Sequence, residues 1–189
     1  EPQHFEHICG PDEPITANGT ISIIGPGTGL GVVHIHRFPG GYHVQATEGG
    51  HVDFAPLDPI EDAILARLRK RHNRVSVERV VAGPAIVDIY ETLAALEGRA
   101  LVEQSNIAIW TAGMDGSDSL AAAAIDRFCL SLGAVAGDTA LVQGASAVVI
   151  AGERTPAMES WHRELDAARR GRIRLTGRLD RAALADLLD

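Results

Sequence analysis

The stretch TISIIGPGTGLG, Thr20 to Gly31, sets an apolar, β-branched run directly against a loop with glycine at every second position. β-Branched residues fit a pleated, buried surface, so Thr20 to Gly25 is predicted to be a buried strand that ends where glycine begins. On the far side, GVVHIH at Gly31 to His36 alternates weakly, Pro39-Gly40-Gly41 is a turn signal, and YHVQAT at Tyr42 to Thr47 alternates again. Together these runs predict an antiparallel strand meander in which the glycine loop joins strand to strand.

The loop itself has the outline of an anion cradle. Gly25, Gly27 and Gly29 allow backbone N–H groups to approach an oxyanion without Cβ obstruction, and Thr28 can add a hydroxyl. No Gly-Lys-Ser/Thr follows, which removes the Walker A reading. A strand rather than a helix comes next, which removes the dinucleotide-binding reading. Taken alone, the loop is equally well read as a hairpin with no ligand.

Downstream, the signals become helical. Asp58 is placed to cap a helix with Pro59 at its first position and Glu61 just inside, and Ile60, Ile64 and Leu68 recur at one-turn spacing. The run Arg67, Arg69, Lys70 and Arg71 reads as a solvated C-terminal turn that complements the helix dipole. A short helical stretch is predicted from Ser76, and Gly83-Pro84 restarts a longer helix that Gly98 closes. A further helix is predicted over Ser119 to Leu141, buried nearly all round but too short and too polar for a membrane span. ASAVVIA at Ala145 to Ala151 predicts a buried strand, and Glu159 to Arg170 and Asp180 to Leu188 predict charged helices.

Composition narrows the function classes. A chain of 189 residues, 46% hydrophobic, fits one soluble globular domain over residues 1–189. A net charge of −8 without a long Lys/Arg run argues against a nucleic-acid or anionic-membrane partner. Cys9 and Cys129 form no disulfide or zinc pattern, so a reduced, cytoplasmic setting is expected. The N-terminal segment lacks a basic region followed by an apolar stretch, and it opens on Glu1 rather than Met, which raises the expectation of a processed or trimmed chain.

Glu48-Gly49-Gly50-His51 closes the third predicted strand, with Asp53 just beyond. Such a group suits a polyol, because a carboxylate accepts from neighbouring hydroxyls and histidine donates or accepts one more bond. Other readings of the same residues stand beside it. His34, His36 and His43 on the neighbouring strands could join His51 in a metal site. Glu48 and His51 could be ordinary turn residues, and Glu78 a first-turn helix acid.

Taken in order, GPGTGLGV at Gly25 to Val32, EGGHVDFAP at Glu48 to Pro56, ERVVAGPAIVDIY at Glu78 to Tyr90 and ALVQGASAVVIAG at Ala140 to Gly152 resemble the bacterial glucokinase family. The resemblance implies a ribonuclease-H-like, actin-like ATPase α/β fold, ATP and Mg²⁺ as cofactors, glucose as the substrate phosphorylated at its 6-hydroxyl, and common homodimer formation. By position, Glu48, His51 and Glu78 look like the glucose-contacting residues. Gly25, Gly27, Thr28 and Gly29 look like a phosphate-binding loop, while Gly144 and Gly152 fall where the adenosine would approach.

Departures from the family pattern set further expectations. The family's Asp-Gly-Gly-Thr-like first phosphate loop and its Asn-Asp pair, whose Asp is the general base, have no counterpart here. The chain is therefore expected to be the larger, C-terminal lobe of a two-lobed kinase, inactive by itself because positioning and charge stabilisation carry phosphoryl transfer. A non-catalytic sugar-binding or regulatory module of the same fold is the alternative. The pattern also breaks at Glu153, where a second glycine and an apolar residue are usual.

Overall fold

The computed structural model describes residues 8, 10, 15 and 17–151. Gly152, Glu153 and the helices predicted over residues 159–170 and 180–188 lie outside the described residues. The contacts divide the chain into two compact units, one within Glu1–Gly25, Val32–Thr47 and Gly137–Asp189, the other comprising Pro26–Gly31 and Glu48–Ala136.

The first unit carries the sheet. Strands β1 (Gly19–Pro26), β2 (Leu30–Phe38), β3 (Gly41–Thr47) and β4 (Ala145–Ile150) lie in the order β3-β2-β1-β4. β2 and β3 pair antiparallel from Val32–Thr47 to Phe38–Gly41, which bears out the meander. β4 pairs parallel to β1, with Ile23 opposite Val149 and Ile24 opposite Ile150. Ile21, Ile23, Ile35 and Val149 form the buried cluster of this unit. The β-branched run of β1 thus occupies an inner strand, where a continuous apolar sequence can be buried. The Ser22 hydroxyl, itself buried, is satisfied by donating to Gln143 Oε1 at 2.6 Å.

The second unit is helical, with α1 (Pro59–Arg69), α2 (Ile86–Leu96), α3 (Asn106–Met114) and α4 (Ser119–Gln143, up to Ala136). α1 begins as its sequence predicts: Asp58 Oδ1 accepts from the Ile60 and Glu61 N–H groups at 2.9 Å each. Glu61 reaches back to accept from Leu57 N–H at 2.7 Å, so each residue satisfies a backbone donor the helix start leaves open. Glu61 is 1% exposed, and its other oxygen accepts from the Ser131 hydroxyl of α4 at 2.6 Å. Arg127 of α4 pairs with Asp58. Two polar contacts one turn apart on α4 therefore fix α1 against it.

The structure corrects several expectations. The basic end of α1 is more than a solvated terminus, because Arg67 pairs with Asp88 and Glu91 of α2 and Arg71 with Asp88. α4 is buried along one stripe, Leu120, Ala121, Ala124, Ile125, Phe128, Ser131 and Val135, and not all round. Alanines and glycines make the other face look apolar although it is accessible, and Leu141 and Val142 are exposed. By length and composition alone α4 would also pass for a bilayer-crossing helix, contrary to the sequence reading. α3 was not predicted. Its signal is Ser105, whose hydroxyl accepts from Ala108 N–H at 3.1 Å as an N-cap.

Asp58 links capping to pH. The Glu61 backbone N–H, with help from Arg127, holds its carboxyl below the ordinary range. A depressed folded-state value stabilises above the unfolded value and loses that stabilisation as pH falls through the folded one. Asp58→Ala is expected to lower the unfolding free energy by about 1 kcal/mol at neutral pH. Urea titrations should show that difference shrinking as pH drops below about 4.

Candidate functional site

The glycine loop, the Glu48 to His51 turn and the segment around Glu78 all belong to the second unit. Gly49–His51 forms a single 3-10 turn, closed by His51 N–H donating to Glu48 C=O at 3.0 Å. Val77–Arg79 forms another. A short antiparallel bridge, Asp53 with Ser76, ties the chain after the first turn to the chain before the second. Phe54 N–H donates to Val75 C=O at 3.0 Å, and Val77 N–H to Val52 C=O at 2.9 Å. Arg74 pairs with Asp53 across the same bridge. Glu48 and His51 are thereby carried to the neighbourhood of Glu78, far apart as they are in sequence.

Leu30 joins this pair of turns to the glycine loop. Its N–H donates to Glu78 Oε2 at 2.9 Å. Its carbonyl oxygen lies where a Cβ on Gly50 would come within 2.4 Å, and its side chain is 5% exposed. A Cβ on Gly29 would lie 2.5 Å from the same Glu78 oxygen. Glycine at 50 is thus required by close approach to backbone, and a Cβ at 29 would have to push the Glu78 carboxylate aside, constraints the sequence alone could read only as a permissive turn.

Within the loop, Gly27 N–H donates to Gly29 C=O at 2.8 Å, and Gly27 C=O accepts from Gly83 N–H at 2.8 Å. Gly27's amide is therefore spent internally. Among the described residues, the N–H groups of Thr28 and Gly29 take no hydrogen-bond partner, and Thr28 is exposed. These are the donors the loop presents. The side chains of Glu48 and His51 are 91% and 59% exposed, with His51 Nε2 at 3.6 Å from Glu48 Oε2. Both face solvent, while Glu78 has one oxygen committed to the backbone.

The remaining predicted residues sit elsewhere. Gly25 lies in β1 beside Ala151, in the first unit, and Gly144 takes a left-handed conformation, φ +61°, between α4 and β4. Among the described residues, no His, Cys, Asp and Glu side chains gather into a group fit for a metal ion. The sequence reading also missed Leu30 and Gly83. Leu30 carries no chemistry of its own to flag it, and Gly83 read only as the punctuation before a helix.

The comparisons with known proteins bear on this arrangement as a whole. The Glucokinase family model matches residues 1–161. The chain belongs to the glucokinase family. It is 58% identical over 149 residues to the glucokinase of Zymomonas mobilis subsp. mobilis, covering 79% of this chain and 46% of that protein. It is 44% identical over 147 residues to the glucokinase of Caulobacter vibrioides, covering 76% and 44%. The chain spans about half the length of the curated glucokinases it matches. Among solved structures, a glucokinase from an Antarctic psychrotroph superposes with a TM-score of 0.76 at 27% identity, over 99% of this chain and 63% of that one. Glucokinase from Balamuthia mandrillaris in complex with glucose shares the fold at 19% identity, with a TM-score of 0.69 over 98% and 58%. The fold is the α/β fold of the actin-like ATPases, as the resemblance implied.

The close approach at Gly50 can be checked directly. Gly50→Ala forces its new methyl against the Leu30 backbone and should cost about 1–3 kcal/mol of stability in denaturant titrations. Gly27→Ala, whose Cβ meets nothing within 4 Å, should stay within about 0.5 kcal/mol.

Proposed function

We propose that this chain is the larger-lobe portion of a glucokinase and that it supplies the sugar-binding group and one phosphate loop for ATP-dependent phosphorylation of glucose. The observation that carries the reading is the Leu30 joint. The same peptide N–H that ends the glycine loop is held by Glu78 at 2.9 Å, so the candidate sugar carboxylate and the candidate phosphate donors share one rigid backbone segment. Phosphoryl transfer asks for little covalent chemistry from a protein and much positioning, and a shared segment is a direct way to hold two substrates in register.

In this reading Glu48 and Glu78 accept hydrogen bonds from sugar hydroxyls. Glu78 uses the oxygen that Leu30 leaves free, since a carboxylate has about four lone-pair sites. His51 donates or accepts one more. A site that hydrogen-bonds substrate hydroxyls rejects analogues that leave its polar groups unpaired, which accounts for selectivity among hexoses. Thr28 and Gly29 point their amides, and Thr28 its hydroxyl, at the terminal phosphates of the nucleotide. The described residues offer no cage for Mg²⁺. That ion usually keeps several waters and is bound largely through substrate phosphates, so it would enter with the nucleotide and offset phosphate charge there. None of Glu48, His51 and Glu78 is assigned as general base, since all are committed to holding the sugar.

The test uses the full-length protein. Glucose-dependent ATP turnover is expected in a coupled assay, and its absence would sink the kinase reading. Sugar binding without turnover would favour the non-catalytic module instead. Isothermal titration should show Glu48→Gln and Glu78→Gln each weakening glucose binding by about 1.5–3 kcal/mol. Unchanged affinity in both variants would remove these residues from the sugar site.

A further inference from the structure

Both ends of the glycine loop are held, and by different parts of the second unit. The Leu30 end is fixed by Glu78 and by the close approach of Gly50. The Gly27 end is fixed by Gly83, whose N–H donates to the Gly27 carbonyl at 2.8 Å and whose own Cβ, if present, would lie 3.2 Å from that oxygen. Gly83 is in turn held from the opposite side. The indole Nε1–H of Trp110 in α3 donates to the Gly83 carbonyl at 3.0 Å. Trp110 is steadied edge-on against Phe128 of α4, with ring centroids 5.1 Å apart and an interplanar angle of 83°. Pro84 follows, with no N–H of its own, as the second residue of the 3-10 turn Gly83–Ala85.

We propose that Trp110 is a positioning residue for the phosphate-binding end of the glycine loop, acting through Gly83 on Gly27. Because Gly27 N–H closes the turn onto Gly29 C=O, the place of Gly27 sets where the free Thr28 and Gly29 amides point. The sugar-side contacts at Leu30 do not run through Gly83. The proposal rests on the assignment of this loop to nucleotide phosphates. It adds that the two ends are independently anchored, so that damage at Trp110 falls on the nucleotide and spares the sugar.

The decisive variant is Trp110→Phe in the full-length protein, which keeps an aromatic ring against Phe128 and deletes the donor. A neutral hydrogen bond lost at this position should raise KM for ATP about three- to tenfold. The glucose dissociation constant should stay within about twofold, since the Leu30 end keeps its own hydrogen bond. Amide hydrogen exchange followed by NMR needs no turnover. It should show faster exchange at the Gly83 N–H and unchanged protection at the Leu30 N–H. Unchanged protection at Gly83, or glucose affinity and ATP KM worsening together, would overturn the proposal. A wild-type protein with no turnover would overturn the kinase reading, and the exchange pattern would still decide whether Trp110 positions the loop.

Discussion

One backbone segment governs the candidate site: Leu30, whose N–H is held by the Glu78 carboxylate and whose carbonyl is pressed against Gly50. A buried peptide N–H left without a partner costs about 1–3 kcal/mol, so the Glu78 bond is held in place by the penalty of losing it. The neighbouring glycines are its geometric counterpart. Without a Cβ at residue 29 the carboxylate can reach the loop, and without one at residue 50 the Glu48 turn can approach it.

The rest of the second unit supports that segment. The Asp53–Ser76 bridge brings the two 3-10 turns side by side, and the buried Glu61–Ser131 bond and the Asp58–Arg127 pair fix the helix that follows them. α2 is tied to α1 by Arg67 and Arg71. Tyr90 of α2 donates to Asp118, which also caps the start of α4. The polar groups in this framework are paired with each other, whereas Glu48, His51 and Thr28 are left open to solvent. That contrast between a closed framework and an exposed rim is what a rigid binding site needs.

Local chemistry carried the sequence reading a long way. β-Branched residues, glycine punctuation and the Asp58-Pro59 start each specify their element within a few residues, and the strand meander and α1 follow from them. α3 escaped because its apolar residues lack a clean stripe and its cap is a lone serine. The one-sided burial of α4 escaped because alanine is neutral between core and surface. At the candidate site, Glu48 and His51 were legible as side chains with chemistry, and Glu78 only through the family resemblance. What joins them was not, because the joint is made of backbone: a leucine N–H, a leucine carbonyl and the absence of two methyl groups. Such contacts link residues far apart in sequence, 48 positions for Leu30 and Glu78, and neither periodicity nor spacing encodes them.

The central claim is that one loop serves sugar and phosphate together. A crystal structure of the full-length protein with glucose and a non-hydrolysable ATP analogue tests it most directly. The account predicts sugar hydroxyls within about 3 Å of Glu48, His51 and Glu78, terminal phosphate oxygens at similar distance from the Thr28 and Gly29 amides, and the Leu30–Glu78 bond intact. Glucose bound away from those carboxylates, or a nucleotide phosphate that leaves Thr28 and Gly29 untouched, would contradict it.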